Sequence, residues 1–316
     1  MTSRVWVTGF GGFMGSHLVD LLERNGHQVL GTYFPPTAKV GRTAVRGKVG
    51  ECDVRDRDKV RSLVEEFRPE KIYHLAAQSY PVVSWADPWY TLETNVIGTT
   101  NIFEAVKAVG VQCRILNACS SAEYGMVRED DVPVKEGRVL RPLHPYGVSK
   151  VSQELLAVQY FENFGIESVS VRIFNTTGPG KVNDVCSEFT KRLVEIEKGI
   201  DISGTLRVGN LDARRAITDV RDVIRAFDLA LDLATPGEVY NLSGSTVYRI
   251  QEIVEMLRGM VDRDFEVKQD PALMRPTDEP IIFGDSTKFK KETGWREEIP
   301  LDVTLRDMLD YWRKAL

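Results

Sequence analysis

Val5-Trp6-Val7-Thr8-Gly9-Phe10-Gly11-Gly12-Phe13-Met14-Gly15 stands almost at the start of the chain, and its reading decides the fold. Val5–Thr8 is a short apolar run of strand type. Phe13–Asn25 then reads as a helix, with Leu18, Leu21 and Leu22 at helical spacing. A chain that turns this tightly from strand to helix needs glycine where the backbone is strained. It also needs glycine where the backbone must touch a pyrophosphate, which the helix N-terminus then faces. The spacing of Gly9, Gly12 and Gly15 is GxxGxxG, not the commoner GxGxxG. Gly9, Gly12, Phe13, Met14 and Gly15 are therefore the expected dinucleotide cradle.

Outward from this turn, strands and helices alternate. Gln28–Tyr33 reads as a second strand, Glu51–Val54 as the end of a third, and Asp56–Phe67 as a charged amphipathic helix. Lys71–Ala76 follows as a strand, Pro88–Val109 as a long helix and Arg114–Cys119 as a fifth strand. Pro145–Phe164 is another long helix, and Glu167–Phe174 another strand. This rhythm implies right-handed crossovers and an α/β fold with a doubly wound parallel sheet. The alternation stops at Thr177-Gly178-Pro179-Gly180. A helix near Ser187–Lys198 and strand-like pieces at Leu206–Val208 and Arg215–Thr218 come next. Asp219–Ala234 and Glu238–Leu242 read as a return to the sheet. The expected division is residues 1–175 plus about 219–245 for a dinucleotide-binding Rossmann domain. Residues of about 176–218 plus 246–316 would form a smaller, interleaved substrate lobe.

Composition narrows the function. The chain has 316 residues with a net charge of −5, 42 % apolar and 28 % charged residues, which is ordinary for a globular protein. Phosphate neutralisation needs a Lys/Arg surplus, and no basic run is present, so neither nucleic acid nor a membrane surface is an expected partner. No apolar stretch approaches the ~20 residues that cross a bilayer, and no leader pattern precedes Val5. Cys52, Cys113, Cys119 and Cys186 show no CxxC spacing and no His partners, so no metal site is expected. They read as reduced, buried thiols of a cytoplasmic protein.

The choice between NAD and NADP rests on the end of the second strand, where an acid bonds a ribose 2′-hydroxyl and an Arg accepts a 2′-phosphate. Gly31-Thr32-Tyr33-Phe34 offers neither. Lys39 and Arg42, in the following polar loop, could reach a phosphate, which tips the expectation towards NADP over NAD. Asp53, after the third strand, could accept from the adenine amino group or simply cap the next helix.

Tyr146-Gly147-Val148-Ser149-Lys150 carries the chemistry. Residues four apart share a helical face, so an ammonium sits beside a phenol. Such a neighbour favours the phenolate and lowers a pKa otherwise near ~10. Tyr146 is thereby a candidate general acid/base for a sugar hydroxyl or ketone. A serine hydrolase is a poor alternative, because there are only four histidines and no GxSxG elbow. His144, beside Pro145, could contact substrate or be a loop histidine without a role.

With these motifs assembled, the chain resembles the extended short-chain dehydrogenase/reductase family over essentially its whole length. The resemblance is carried by TGFGGFMGS, the aspartate of CDV, HLAAQS, NVIGT, SSAEYG and YGVSK. It implies that Val54, Leu75, Ala76 and Ala77 line the cofactor, that Lys150 contacts the nicotinamide ribose, and that Asn95 supports the site. A serine after the fifth strand would position the substrate oxygen, with Ser120 in the register anchored on YG and Ser121 beside it. The downstream motifs resemble the nucleotide-sugar branch. Asn175 in RIFN, Arg215 in RRAITDVRD and Arg275 in MRPTDEP match residues that meet the sugar diphosphate, for which a planar guanidinium fork is well suited. Ala216 departs from the family, which usually carries Asp there.

Within the branch, AAQS, NTTGPGK, GNLDARR and RPTDEP resemble the GDP-mannose 4,6-dehydratases and the GDP-4-keto-6-deoxy-mannose reductases. A dehydratase needs an extra carboxylate two residues after the catalytic hydroxyl. That position is Ala122 in the YG register and Glu123 in a register shifted by one. SSAEYG is more similar to the reductases, which implies hydride delivery to C4 and a proton from Tyr146. The dehydratase using Glu123, a nucleotide-sugar 4-epimerase and a non-catalytic NADP-binding sensor or scaffold remain as alternatives. The family also implies a homodimer formed by the Pro88–Val109 and Pro145–Phe164 helices.

Overall fold

The computed structural model describes residues 2–35, 47–274 and 279–316. The first part of the chain runs β1 (Arg4–Thr8), α1 (Phe13–Arg24), β2 (Gln28–Tyr33), β3 (Lys48–Glu51), α2 (Arg57–Phe67) and β4 (Lys71–His74). It continues through α3 (Pro81–Ala86), α4 (Pro88–Leu92), α5 (Gly98–Val109), β5 (Arg114–Ser120), α6 (Pro145–Phe164) and β6 (Ser168–Ile173). Beyond lie β7 (Thr176–Thr177), α7 (Val185–Glu197), β8 (Thr205–Val208), β9 (Arg214–Ala216), β10 (Thr218–Asp219), α8 (Val220–Leu233) and β11 (Val239–Leu242). The chain ends with β12 (Val247–Arg249), α9 (Ile250–Arg258), β13 (Glu266–Gln269), β14 (Ile281–Ile282), α10 (Thr287–Thr293) and α11 (Leu301–Ala315).

Seven strands form one sheet in the order β11-β6-β5-β4-β1-β2-β3, and every neighbouring pair is parallel. The central strands are apolar on both faces: Val5, Trp6, Val7, Ile115, Leu116, Val169 and Val171 are fully buried. A strand hidden on both sides needs helices above and below, which is the parallel solution. Each such side chain contributes about 1.5–3 kcal/mol on burial. On one face Leu18, Val19 and Leu22 of α1 share a core with Val223, Ile224 and Phe227 of α8. On the other, Val60 and Val64 of α2 meet Ile102 and Phe103 of α5 and Ala157 of α6. Strand order reverses between β1 and β4, where Thr8 lies opposite His74. The crevice beyond those two strand ends is where an open α/β sheet binds its ligand.

A separate core joins α7, α9 and α11, with Phe189, Leu193, Ile253, Leu257, Leu305, Met308 and Trp312 at its centre. Phe289 and Trp295 lie in the part of the chain expected on the smaller lobe, yet they pack into the sheet's own core against α8. The Trp295 indole donates to the backbone oxygen of Asp222, which fixes that return. Two expected boundaries also move. The helix expected over Pro88–Val109 contains a π-turn at Glu93–Ile97 between α4 and α5. The strand expected over Arg215–Thr218 divides into β9 and β10, which belong to different small sheets. No helix among the described residues is long and apolar enough to cross a membrane.

Candidate active site

The glycine turn closes against the end of β4. Gly9 has φ +69°, and a Cβ there would lie 2.9 Å from the Ala76 backbone. A Cβ on Gly15 would lie 2.4 Å from the Gly9 carbonyl oxygen. Gly12 is the N-cap of α1 and brings no capping side chain, so the helix start carrying Phe13, Met14 and Gly15 faces the crevice as bare backbone. This cradle fits a pyrophosphate, since amides and the helix dipole together favour an anion. Thr8, which sequence reasoning missed, sets the gap: its hydroxyl accepts the N–H groups of Leu75 and Ala76, each at 3.1 Å. The hydroxyl lies 3.0 Å from Nδ1 of buried His74, whose Nε2 lies 3.0 Å from Thr99 Oγ1. The hydroxyl's one hydrogen then goes to Nδ1, and the ring donates from Nε2 to Thr99. Burial holds His74 down at about 3, so it stays neutral in this role. The only forewarning was the TG and HLAA motif context.

Val54 packs against Gly98, where a Cβ would come within 2.6 Å of its methyl. Asp53 is engaged by Arg55, which bonds both carboxylate oxygens, the shorter contact being 2.6 Å. Burial acts to raise the Asp53 pKa, but the Arg55 hydrogen bonds outweigh it and hold the carboxyl below its usual range. Lys39 and Arg42 lie outside the described residues, as does Arg275.

β5 ends at Ser120, the N-cap of a single 3-10 turn, Ser121–Glu123. The Ser120 hydroxyl accepts from the Ala122 N–H at 3.2 Å and reaches the Tyr146 phenol. Ser121 instead gives its backbone oxygen to Tyr124 N–H. Tyr146 stands in the first turn of α6, where Pro145 needs no donor. His144 is the N-cap: its Nδ1 accepts the Gly147 N–H at 3.1 Å, and its ring stacks on Tyr146 at 5.9 Å. Gly147 lets α6 press onto the Ser120 turn, because a Cβ would sit 2.8 Å from the Ala122 carbonyl oxygen.

Lys150 shares Tyr146's helix, but its Nζ donates to the Ala118 carbonyl at 2.8 Å and lies 5.8 Å from the phenol ring centre. The expectation that the ammonium lowers the tyrosine does not describe this arrangement. Burial pushes Tyr146 up to about 12, with the Ser120 hydrogen bond offsetting part of the rise. Burial also lowers Lys150 to about 8. A phenol in that condition is a proton donor at neutral pH.

Asn95 sits in the π-turn and ties the two halves of the site. Its Nδ2 donates to the Gln78 oxygen at 3.0 Å and to Ser149 Oγ at 2.8 Å, while its Oδ1 accepts Gln78 N–H at 2.8 Å. Ser149 in turn donates to the Tyr146 carbonyl. Glu123 points inward, fully buried, with Oε1 accepting the Ser120 N–H at 2.8 Å. Cys119, Glu123 and Glu154 bring potential ligand atoms within 4.8 Å of one another. Arg172 forks onto Glu154 at 2.5 and 2.7 Å, so a fixed cation already occupies that carboxylate.

Asn175 follows β6 with a buried Nδ2 that has no hydrogen-bond partner among the described residues. Its carbonyl accepts the Thr218 N–H, so the segment carrying β9 and β10 is fastened beside it. Arg215 on β9 is oriented by two carbonyls, those of Arg214 at 2.9 Å and Glu279 at 2.8 Å. Ala216 is fully buried where the family usually carries Asp, and Asp219 caps α8 nearby. His17 Nε2 donates to the Pro179 carbonyl at 2.9 Å, which joins the Gly178–Gly180 turn to α1.

A reversed parallel sheet, a glycine cradle and a Ser–Tyr–Lys group define an NAD(P)-binding Rossmann oxidoreductase of the extended short-chain dehydrogenase/reductase type, nucleotide-sugar branch. A family model for GDP-mannose 4,6 dehydratase matches residues 6–308, and the chain belongs to that family. It is 31 % identical to the GDP-6-deoxy-D-mannose reductase of Pseudomonas aeruginosa over 100 % of this chain and 99 % of that protein. The structure of RMD from Pseudomonas aeruginosa complexed with NADPH superposes with a TM-score of 0.86 at 29 % identity, covering 100 % of each chain. The UDP-glucose 4-epimerase of Thermus thermophilus in complex with NAD gives 0.87 at 30 % identity, covering 99 % of this chain and 100 % of the other.

Proposed function

We propose that the chain reduces the 4-keto group of a nucleotide-linked, GDP-activated 6-deoxy-hexose. The observation that carries this reading is the direction of Glu123. Its carboxyl is fully buried and bonded to Ser120 N–H, and the position two residues after Ser120 is Ala122. A dehydratase must take a proton from C5 with a base that faces the sugar, and this turn offers none.

A bound nicotinamide cofactor supplies the hydride. Gly9, Gly12 and the start of α1 hold its pyrophosphate, Val54, Leu75, Ala76 and Ala77 line it, and Lys150 meets its ribose. The absence of an acid at Tyr33-Phe34 supports NADPH over NADH. Ser120 orients the ketone oxygen, and Tyr146 gives that oxygen its proton as C4 gains the hydride, so a ketone becomes an alcohol. The high phenol pKa suits this direction, since the acid form is the one required. Asn175 and Arg215, with Arg275, take the diphosphate. Residues 1–175 and about 219–245, with Phe289 and Trp295 packed into their core, act as the cofactor domain and most of the rest as the substrate lobe, in a homodimer. Four buried, unpaired thiols support a reducing, cytoplasmic setting.

The test is nicotinamide absorbance when the protein meets NADPH and GDP-4-keto-6-deoxy-mannose. Oxidation is expected, falling by about 10²–10⁴-fold in Tyr146→Phe. Conversion of GDP-mannose to a 4-keto product without net cofactor use would instead establish the dehydratase.

A further inference from the structure

Beneath Ser120 lies a buried cluster in which two carboxyls, Glu123 and Glu154, share the Arg172 guanidinium. Glu123 Oε2 has no hydrogen-bond partner among the described residues and stands 3.4 Å from Arg172 Nε. That guanidinium is already committed. It forks onto Glu154 and also donates to the Tyr124 hydroxyl at 2.7 Å and the Glu136 carbonyl at 2.8 Å. The groups facing Glu123 are Cys119 on its own segment, Glu154, Lys150 and Tyr146 on α6, and Arg172 on β6. Lys150 Nζ directs its hydrogen bond to the Ala118 carbonyl, so its charge faces the pair without bonding either carboxyl.

Two ionised carboxyls sharing one guanidinium that is already forked onto Glu154 would leave the buried Glu123 charge without a hydrogen-bonded cation, which is costly. One proton removes the problem. It belongs on Glu123, because Glu154 holds the guanidinium fork. A protonated Glu123 can still accept the Ser120 N–H at Oε1 while Oε2–H turns to Glu154, and the orphaned atom gains its partner.

We propose that Glu123 is a neutral, proton-bearing positioning residue that anchors Ser120 by its backbone and so keeps the Ser120 hydroxyl aimed at Tyr146. The proposal rests on the reading of Ser120 and Tyr146 as the reacting pair. Burial, with Glu154 next to it, raises the Glu123 carboxyl well above the ordinary carboxylate range, in agreement with a proton placed there.

Glu123→Gln keeps an acceptor for Ser120 N–H and a donor for Glu154 but has no proton to lose. Glu123→Ala removes both contacts. For Glu123→Gln, kcat at about pH 7 should stay within about threefold of the parent, while Glu123→Ala should lose about tenfold or more in kcat with KM little changed. The alkaline limb of kcat should move to higher pH in Glu123→Gln. A substrate-free measurement accompanies these. A raised folded-state pKa gives stability that is present below the ordinary carboxylate pKa and is lost as pH rises through the folded value. Between about pH 5.5 and about pH 9 the parent's Tm should therefore fall more than that of Glu123→Gln. Equal Tm slopes would overturn the stored proton. Glu123→Gln as damaged as Glu123→Ala would overturn the neutral carboxyl and point to a required carboxylate. A chain without ketoreductase turnover would overturn the positioning role, with the Tm comparison still deciding the proton.

Discussion

Arg172 is read in the sequence only as the first letter of a motif, yet it is the hub on which four elements meet. It binds Glu154 on α6, Tyr124 after β5 and Glu136 in the following loop, from a position on β6. Arg172→Met leaves the buried Glu154 carboxylate without its cation and should cost about 3–5 kcal/mol in urea unfolding. Glycine and YxxxK positions were legible because backbone sterics and helical spacing admit few residue types there. The direction of Glu123 was not, since a register shift of one residue in SSAEYG decides whether a carboxyl faces substrate or core. The direction of the tyrosine pKa was not legible for a related reason: spacing shows that Lys150 shares the helical face, but not that its ammonium turns to the Ala118 carbonyl while burial raises the phenol.

At the scale of elements, the π-turn at Glu93–Ile97 is the feature that periodicity conceals. Apolar spacing predicts one helix from Pro88 to Val109, and that much is present. One extra residue in a turn leaves no mark on composition, although such bulges gather at functional sites. Here it presents Asn95 to Gln78 and Ser149 at once. Asn95→Ala strands the buried Gln78 N–H and should cost about 1–3 kcal/mol in denaturant midpoint analysis. It should also lower kcat more than it raises KM, because the turn carrying Tyr146 loses its tether. α6 shows the opposite case. Pro145 at its first position and Gly165 at its end bound it where the rules for helix start and stop put them.

The whole molecule follows from the apolar strands, and the alternation from β1 to β6 was readable because parallel strands are apolar on both faces. The later chain was harder, since β7, β9, β10 and β14 are too short to show a period. Val82, Trp85 and Trp89 on α3 and α4 are 76 %, 66 % and 76 % exposed, and Leu155 on the adjacent α6 is 59 % exposed. An apolar surface of that kind marks an interaction site, and the homodimer is the occupant that the family resemblance implies. Leu155→Asp should convert a dimer into a monomer in sedimentation analysis, with the far-UV spectrum unchanged.

β11 completes the sheet beside β6, yet residues 174–238 separate them in the chain. A ribosome makes β6 well before its neighbour exists. During that interval an apolar strand edge waits unpaired, the kind of surface on which nascent chains join one another. The length of the excursion thus sets a window of time, and the speed with which α7 and α8 are delivered governs how long the growing protein is exposed to it.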